Sequence, residues 1–256
     1  MTPLDLFSLQ GRTALVTGSS RSIGYALARA LGLAGARVVL NGRDRAALES
    51  AAQALATEGV DATFEAFDVT DSTAVEMGVE AVEARVGPID ILVNNAGMQD
   101  RAPLESFTDE QWERITATNL DSVFYVSRAV ARRMIPRGEG RIVNICSVQC
   151  ELSRPGIAPY AATKAGVRML TKGMCGDWAP KGLRVNAIAP GYFATDLTSA
   201  LVENREFSDW LERRTPAGRW GQLEDLAGTV VFLTSDAAEF VNGQTIFVDG
   251  GITCVL

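Results

Sequence analysis

Short runs of β-branched and aliphatic residues alternate along the chain with longer stretches whose apolar positions recur every three to four residues. The short runs read as strands at Thr13–Thr17, Arg37–Leu40, Ala62–Ala66, Ile89–Val93, Arg141–Cys146, Leu183–Ala189 and Gln244–Val248. The longer stretches predict helices, among them Ile23–Ala34, Arg45–Thr57 and Ser72–Arg85. Strand and helix in repeated alternation is the mark of βαβ units. All seven strands are nearly continuous in Val, Ile and Leu, which predicts a parallel sheet buried on both faces. The expected fold is therefore α/β: a doubly wound, seven-stranded parallel sheet with helices on both faces. No repeat, low-complexity tract or long linker breaks the pattern, so one domain over residues 1–256 is expected. Ligands of such sheets sit beyond the carboxyl ends of the strands. The chemistry is to be sought just after strands.

Composition narrows that chemistry mainly by exclusion. The chain has no histidine, which removes Ser-His-Asp, Cys-His and His-ligated zinc mechanisms. Its four cysteines, at 146, 150, 175 and 254, form no C-x-x-C pair; no metal site is expected, and a reducing cytoplasm suits them. With 24 Lys and Arg against 31 Asp and Glu, the net charge of −7 argues against nucleic acid as a partner. Uncharged stretches such as Val185–Thr195 are shorter than the roughly 18–20 residues of a membrane span. Met1–Gln10 carries Asp5 and no basic run, so no signal peptide is expected and the location expected is cytoplasmic.

The first candidate motif follows the first strand: Thr17-Gly18-Ser19-Ser20-Arg21-Ser22-Ile23-Gly24, leading directly into a helix. Glycine after a strand makes a tight turn, glycine at a helix start permits close packing, and the free N–H groups there attract a pyrophosphate. Ser22 stands where a third glycine normally lets the ligand approach, and its hydroxyl is a candidate helix cap. After the second strand, NAD sites usually place a carboxylate for the ribose hydroxyls. Here the chain reads Asn41-Gly42-Arg43, with no acid at the strand tip. Arg43 and Arg21 lie where a 2′-phosphate would project, so NADP(H) is the expected cofactor.

The second constellation is Ser147, directly after a strand, with Tyr160 and Lys164 four residues apart at the start of a predicted helix. That spacing puts both on one helix face. An ammonium beside a phenol stabilises phenolate and lowers its pKa, making the tyrosine a usable acid and base near neutrality. The Ser147 hydroxyl is placed to hold a carbonyl oxygen or alkoxide.

Together, Thr17–Gly24, Asn94-Asn95-Ala96-Gly97, Asn119, Ser147, Tyr160, Lys164 and Pro190-Gly191 resemble the short-chain dehydrogenase/reductases over essentially the whole chain. The resemblance implies a Rossmann-type domain, with a dinucleotide-binding part over about 11–145, a catalytic and substrate part over about 146–256, and a lid over about 192–214. It implies Tyr160 as general acid/base, Ser147 orienting the reacting oxygen, Lys164 on the nicotinamide ribose, and Asn119 holding a proton-relay water. It implies further that Asp68-Val69 contact adenine, that Asn95, Ala96 and Gly97 line the adenosine ribose, and that Pro190, Gly191 and Thr195 border the nicotinamide.

A narrower resemblance lies within the family. Asn144-Ile145-Cys146-Ser147-Val148-Gln149, Pro190–Thr195 and Arg214–Gly221 look like the gluconate 5-dehydrogenases, also called 5-keto-D-gluconate reductases. It implies a sugar-acid substrate interconverted between ketone and alcohol, and the family implies a homotetramer, with the apolar helices around Asp121–Met134 and Ala161–Met174 pairing across two-fold axes. Arg101 and Arg154 are the candidate carboxylate ligands; Gln149, Glu151 and Tyr192 are candidates for sugar hydroxyls. Asp100 stands where the subfamily leads one to expect a second basic residue, and is placed to neutralise Arg101. Two other readings share the motifs: a 3-oxoacyl thioester reductase, which wants a basic rim for a carrier protein, and a non-catalytic dinucleotide-binding module, which predicts erosion of Ser147, Tyr160 or Lys164. All three residues are intact.

Overall fold

The computed structural model describes residues 2–195 and 198–255. Seven strands form one sheet: β1 (Thr13–Val16), β2 (Arg37–Gly42), β3 (Ala62–Ala66), β4 (Ile91–Asn94), β5 (Gly140–Ile145), β6 (Leu183–Pro190) and β7 (Thr245–Val248). Their order is β3-β2-β1-β4-β5-β6-β7, and every pairing is parallel. The helices are α1 (Ser22–Leu33), α2 (Arg45–Thr57), α3 (Ser72–Arg85), α4 (Asp109–Thr116), α5 (Ser122–Arg137), α6 (Ala158–Trp178), α7 (Ser199–Val202), α8 (Arg205–Arg214) and α9 (Ala227–Thr234). This is the doubly wound Rossmann-type arrangement expected. Several strand ends shift by one or two residues, the larger shifts falling at β2 and β4. β2 continues through Asn41 and Gly42, which stay in register with Glu65 and Ala66 of β3 although neither is apolar. β4 begins at Ile91, and Asp90 just before it still bridges β1 and β5: its N–H donates to the Thr13 carbonyl at 3.0 Å, its carbonyl accepts the Arg141 N–H at 2.9 Å, and its carboxylate accepts the Thr13 N–H at 2.9 Å.

Period-two alternation divides the sheet between two cores. Ala14, Val16, Val38, Leu40, Ile91, Val93, Val143 and Ile145 face α1, α2 and α9; Leu15, Val39, Leu92 and Ile142 face α3, α5 and α6. Helix starts are fixed locally: Asp44 accepts from the N–H groups of Ala46 and Ala47, and Asp71 does the same for Thr73 and Ala74. β1 and β4, adjacent at the centre, mark the point where the winding reverses. Their carboxyl ends, with that of β5, carry the candidate site. A buried polar chain holds this end together: Asn94 Nδ2 donates to Asn144 Oδ1 and Ser127 Oγ, both at 2.8 Å, and Asn144 Nδ2 donates to Thr171 Oγ1 at 2.9 Å. Among the described residues, no helix is long and apolar enough to cross a membrane.

Candidate active site

The turn after β1 is an interlock of residues without room for side chains. Gly18 adopts φ +60°, and a Cβ on it would lie 2.8 Å from the Cα of Ala96. A Cβ on Gly24, in the first turn of α1, would fall 2.3 Å from the Gly18 carbonyl oxygen and 2.4 Å from Asn95 Nδ2. Asn95 closes the turn by donating Nδ2 to the carbonyls of Thr17 and Gly18 at 3.0 and 2.9 Å. The side chain expected to line a ribose is thus engaged in holding the loop. Ser19, which sequence reasoning passed over, is fully buried, accepts the Asn41 N–H at 3.0 Å and donates to the Val16 carbonyl at 2.7 Å.

Ser22 does not cap α1. Arg21 occupies the N-cap position without a side-chain hydrogen bond, and Ser22 itself takes φ +55°, the one non-glycine at positive φ among the described residues. The position demands a glycine-like backbone, and that demand removes Ser22 from the cap. A turn that excludes Cβ atoms and a helix start without a side-chain cap fit a pyrophosphate held by main-chain N–H groups, with Ser20, Arg21 and Ile23 around it. The tip of β2 fits a 2′-phosphate. Asn41 is buried and donates to the carbonyls of Glu65 and Phe67, at 3.1 and 3.2 Å. The next acid, Asp44, is engaged as a helix cap. Arg43 is 82% exposed, with Asp68 4.0 Å away. Asp68 is oriented by Thr70, whose N–H and hydroxyl both donate to Oδ1, while Val69 is buried.

Ser147 follows β5, and Tyr160 and Lys164 stand on the first turns of α6. The Ser147 hydroxyl hydrogen-bonds the Tyr160 phenol and accepts the Gln149 N–H at 3.2 Å. Lys164 is buried, and its Nζ donates to the Ile145 carbonyl at 2.8 Å. The expected drop in the phenol pKa is not found. Burial pushes Tyr160 up to about 12, and the Ser147 hydrogen bond offsets this only in part. Burial likewise draws the Lys164 ammonium below its ordinary value. Asn119 lies in a five-residue π-helical segment, Ala117–Asp121, between α4 and α5, a distortion common at functional sites. Its Oδ1 accepts the Met98 N–H at 2.8 Å, and its Nδ2 donates to the Met98 carbonyl and Thr163 Oγ1 at 2.9 and 3.3 Å. Both amide hydrogens are therefore engaged, leaving no side-chain donor for a relay water. Gly97 packs beneath, where a Cβ would lie 3.4 Å from Asn119 Oδ1 and 3.7 Å from Lys164 Nζ.

The substrate side is built from three loops. Arg101 and Arg154 lie close enough that Arg154, after burial, is the largest influence holding the Arg101 guanidinium below its usual range, while Tyr192 and Tyr160 act in the opposite sense. Arg154 stacks its guanidinium 5.6 Å from the centre of the Phe207 ring, and its buried Nε has no partner among the described residues. Gln149 is 8% exposed; its Nε2 donates to the Tyr192 hydroxyl at 3.2 Å, and its Oε1 has no partner among the described residues. Tyr192 packs in turn on Phe207 and Trp220, at 5.8 and 6.1 Å between ring centres. Phe207 was not singled out in the sequence, where an aromatic in an amphipathic helix reads as packing.

Two acids differ from expectation. Glu151 is exposed and pairs with Arg168 of α6, so its carboxylate is turned to that helix rather than to the site. Asp100 does not neutralise the Arg101 guanidinium: it pairs with Arg114 of α4 and takes only the Arg101 main-chain N–H. The Arg101 guanidinium goes to Gln99 Oε1 at 2.8 Å. On the third side, Pro190 ends β6, and a Cβ on Gly191 would lie 2.8 Å from the Asp249 Cα. Thr195 donates its N–H to Thr198 Oγ1 at 3.0 Å. The segment expected as a lid carries two helices, α7 and α8; Asp196 and Leu197 within it lie outside the described residues.

Comparison with known proteins places this arrangement among oxidoreductases. A family model described as enoyl-(acyl carrier protein) reductase matches residues 18–253. The chain is 59% identical over 256 residues to a gluconate 5-dehydrogenase of Gluconobacter oxydans, covering all of both chains. It is 48% identical over 248 residues to a 5-keto-D-gluconate 5-reductase of Escherichia coli, covering 97% of this chain and 98% of the other. A crystal structure of a gluconate 5-dehydrogenase from Burkholderia cenocepacia, in complex with NADP and tartrate, superposes with a TM-score of 0.97 at 56% identity over the whole of both chains.

Proposed function

This chain belongs to the short-chain dehydrogenase/reductase family, and from that membership we propose that it interconverts 5-keto-D-gluconate and D-gluconate with a nicotinamide cofactor. The observation that carries the substrate is the pair Arg101 and Arg154, converging beside Tyr160 and Tyr192 in a protein of net charge −7. An acidic protein draws no anion from a distance, so a carboxylate substrate needs local cations. An acyl chain would leave Gln149 Oε1 and Arg154 Nε buried and unpaired.

The chain's own groups divide the work. Ser147 donates to the substrate oxygen, and Tyr160 holds the proton that this oxygen receives in reduction and returns in oxidation. Because burial keeps the phenol protonated at neutral pH, Tyr160 is poised as the acid. Lys164, fixed by Ile145, would offer its remaining N–H donors to the nicotinamide ribose of a bound cofactor. Asn119 acts through position: it fixes Met98 and, through Thr163, the start of α6 beneath Tyr160. The cofactor, when bound, supplies or accepts the hydride. Gly18, Ser20, Arg21, Ser22, Ile23 and Gly24 would hold its pyrophosphate, Asp68, Val69, Asn95, Ala96 and Gly97 its adenosine, and Pro190, Gly191 and Thr195 its nicotinamide. Arg43 would bind a 2′-phosphate, which makes NADP(H) the preferred form.

Exposed Phe124 on α5 and Met169 on α6 support a homotetramer. Four free thiols suit a cytoplasmic setting. The deciding experiment measures NADPH oxidation with 5-keto-D-gluconate, a neutral ketose of similar size and a 3-oxoacyl thioester. Preference for the sugar acid is expected; equal turnover of the ketose or thioester removes the sugar-acid reading.

A further inference from the structure

We propose that Gln149 is the residue through which this site selects a hydroxyl on the carbon beside the reacting one, with its buried Oε1 as the acceptor for that hydroxyl. The inference rests on the sugar-acid reading above and adds the chemistry of one subsite. Gln149 lies two residues beyond Ser147, and its main-chain N–H donates to the Ser147 hydroxyl at 3.2 Å. Its side chain therefore starts within one hydrogen bond of the group that orients the substrate oxygen. The far end meets the Tyr192 hydroxyl, and Tyr192 bears electrostatically on both Tyr160 and Arg101. The amide is thus held between the reacting centre and the candidate carboxylate ligand.

The position of the amide follows from its neighbours. Nε2 is engaged by Tyr192 at 3.2 Å, and the Tyr192 ring cannot swing away because Phe207 and Trp220 pack against it at 5.8 and 6.1 Å. Trp220 is anchored by Ser208 of α8, whose hydroxyl accepts the indole N–H at 3.2 Å. Nε2 has one partner in Tyr192, and Oε1 is buried without a partner among the described residues. A buried carbonyl oxygen wants a donor. A substrate hydroxyl gives one; a methylene leaves the oxygen orphaned, and a ketone or ether oxygen opposes it with a second acceptor. A site built around such a group rejects an analogue lacking its partner more strongly than an apolar pocket rejects an added group.

The test compares D-gluconate with its 4-deoxy and 6-deoxy analogues as substrates for oxidation with NADP⁺, in the wild type and in Gln149→Met and Tyr192→Phe. In the wild type, kcat/KM for one of the two deoxy analogues falls by about 10- to 150-fold, the penalty of an unpaired buried acceptor. Gln149→Met loses the same factor with D-gluconate and nothing further with that analogue, since the interaction is already gone. Tyr192→Phe narrows the discrimination, because a released Nε2 lets the amide turn. NADPH binding followed by fluorescence verifies that each variant is folded; if Gln149→Met fails that control, the wild-type penalty and its narrowing in Tyr192→Phe carry the decision. Deoxy and Gln149→Met losses that multiply, deoxy analogues as good as D-gluconate, or undiminished discrimination in Tyr192→Phe each overturn the assignment while leaving the sugar-acid reading in place. No oxidation of D-gluconate by the wild type overturns both.

Discussion

Lys164 donates its ammonium to the main-chain carbonyl of Ile145 at 2.8 Å, with Nζ 5.8 Å from the centre of the Tyr160 ring. The bond joins the last residue of β5 to the second turn of α6 and so fixes the helix that carries the phenol. A buried ammonium is unfavourable unless hydrogen-bonded, and the carbonyl supplies one partner. The phenol therefore answers first to its burial, which keeps the proton on it.

Tyr160→Phe removes that proton and little else. Its ring still packs beside Lys164, and the turn at Gly18, Gly24 and Asn95 is untouched. Turnover should fall by about 10²–10⁴-fold in kcat, with NADPH affinity within about twofold of wild type. Stopped-flow kinetics alongside cofactor fluorescence measures both; a Phe variant retaining a tenth of kcat would show that another group is the acid.

The two reaction directions should respond oppositely to pH. Reduction needs the neutral phenol and oxidation the phenolate. With Tyr160 raised to about 12, the phenol persists through neutrality, so kcat/KM for reduction should stay flat from about pH 6 to about 9. Oxidation should climb by roughly tenfold per unit as pH rises over the same range, since the phenolate fraction grows with pH. A limb falling near pH 7 in reduction would place the titrating group elsewhere.

The strand pattern and the order of motifs were legible because they depend on local periodicity and on short spacings. Ser147, Tyr160 and Lys164 could be placed together from the ends of β5 and α6 alone. Partner choice was not legible. Glu151 engages Arg168, and Asp100 engages Arg114, because α6 and α4 pass alongside them, and sequence spacing does not encode which helix arrives. The burial that raises Tyr160 depends on the whole packed surround, whereas a Tyr-x-x-x-Lys spacing speaks only of the ammonium. The π-helical segment carrying Asn119 has no signature in Ala117-Thr118-Asn119-Leu120-Asp121 that separates it from an ordinary helix.

Arg43 is a clean probe of cofactor preference. It is exposed, and Asp68 is 4.0 Å away, a separation at which a surface pair contributes little. Arg43→Ala should leave thermal stability unchanged and weaken NADPH by roughly 10- to 150-fold, with NADH affected far less. Equal KM values for the two cofactors in wild type, or an unchanged ratio in the variant, would remove Arg43 from this role.

Ser22 stores strain that glycine would release. A non-glycine at φ +55° costs about 1–2 kcal/mol, and glycine gives back about 0.5–1 kcal/mol through its freer unfolded chain. Ser22→Gly should therefore stabilise the fold by roughly 0.5–1 kcal/mol, a rise of about 1–4 °C in Tm. Ser22→Ala keeps the backbone strain and should show no such rise. Matching gains in Gly and Ala would assign the effect to loss of the hydroxyl.

Arg101 and Arg154 are the strongest point at which the function can be tested. Burial and the Arg154 charge both work against the Arg101 guanidinium, while Tyr192 and Tyr160 act in the opposite sense. Among the described residues, the acids beside the two arginines in sequence are engaged elsewhere, Asp100 with Arg114 and Glu151 with Arg168. Arg154 lies against Phe207 with a buried Nε lacking a partner among the described residues. Two neighbouring cations whose adjacent acids are, among the described residues, paired elsewhere suit an anion that arrives with the substrate, and guanidinium groups hold carboxylates in charge-assisted, often bidentate pairs. Arg101→Ala and Arg154→Ala should each raise KM for 5-keto-D-gluconate by roughly 10- to 100-fold, and each should leave a neutral ketose of the same size within about twofold. Loss of one arginine also relieves the other, so the double variant should lose less than the product of the single losses. Added salt should raise the wild-type KM for the acid and leave that for the ketose alone, since screening acts on the charged pair only. Equal sensitivity of the acid and the ketose to either substitution would mean that these arginines support the loops, with the carboxylate bound by other groups.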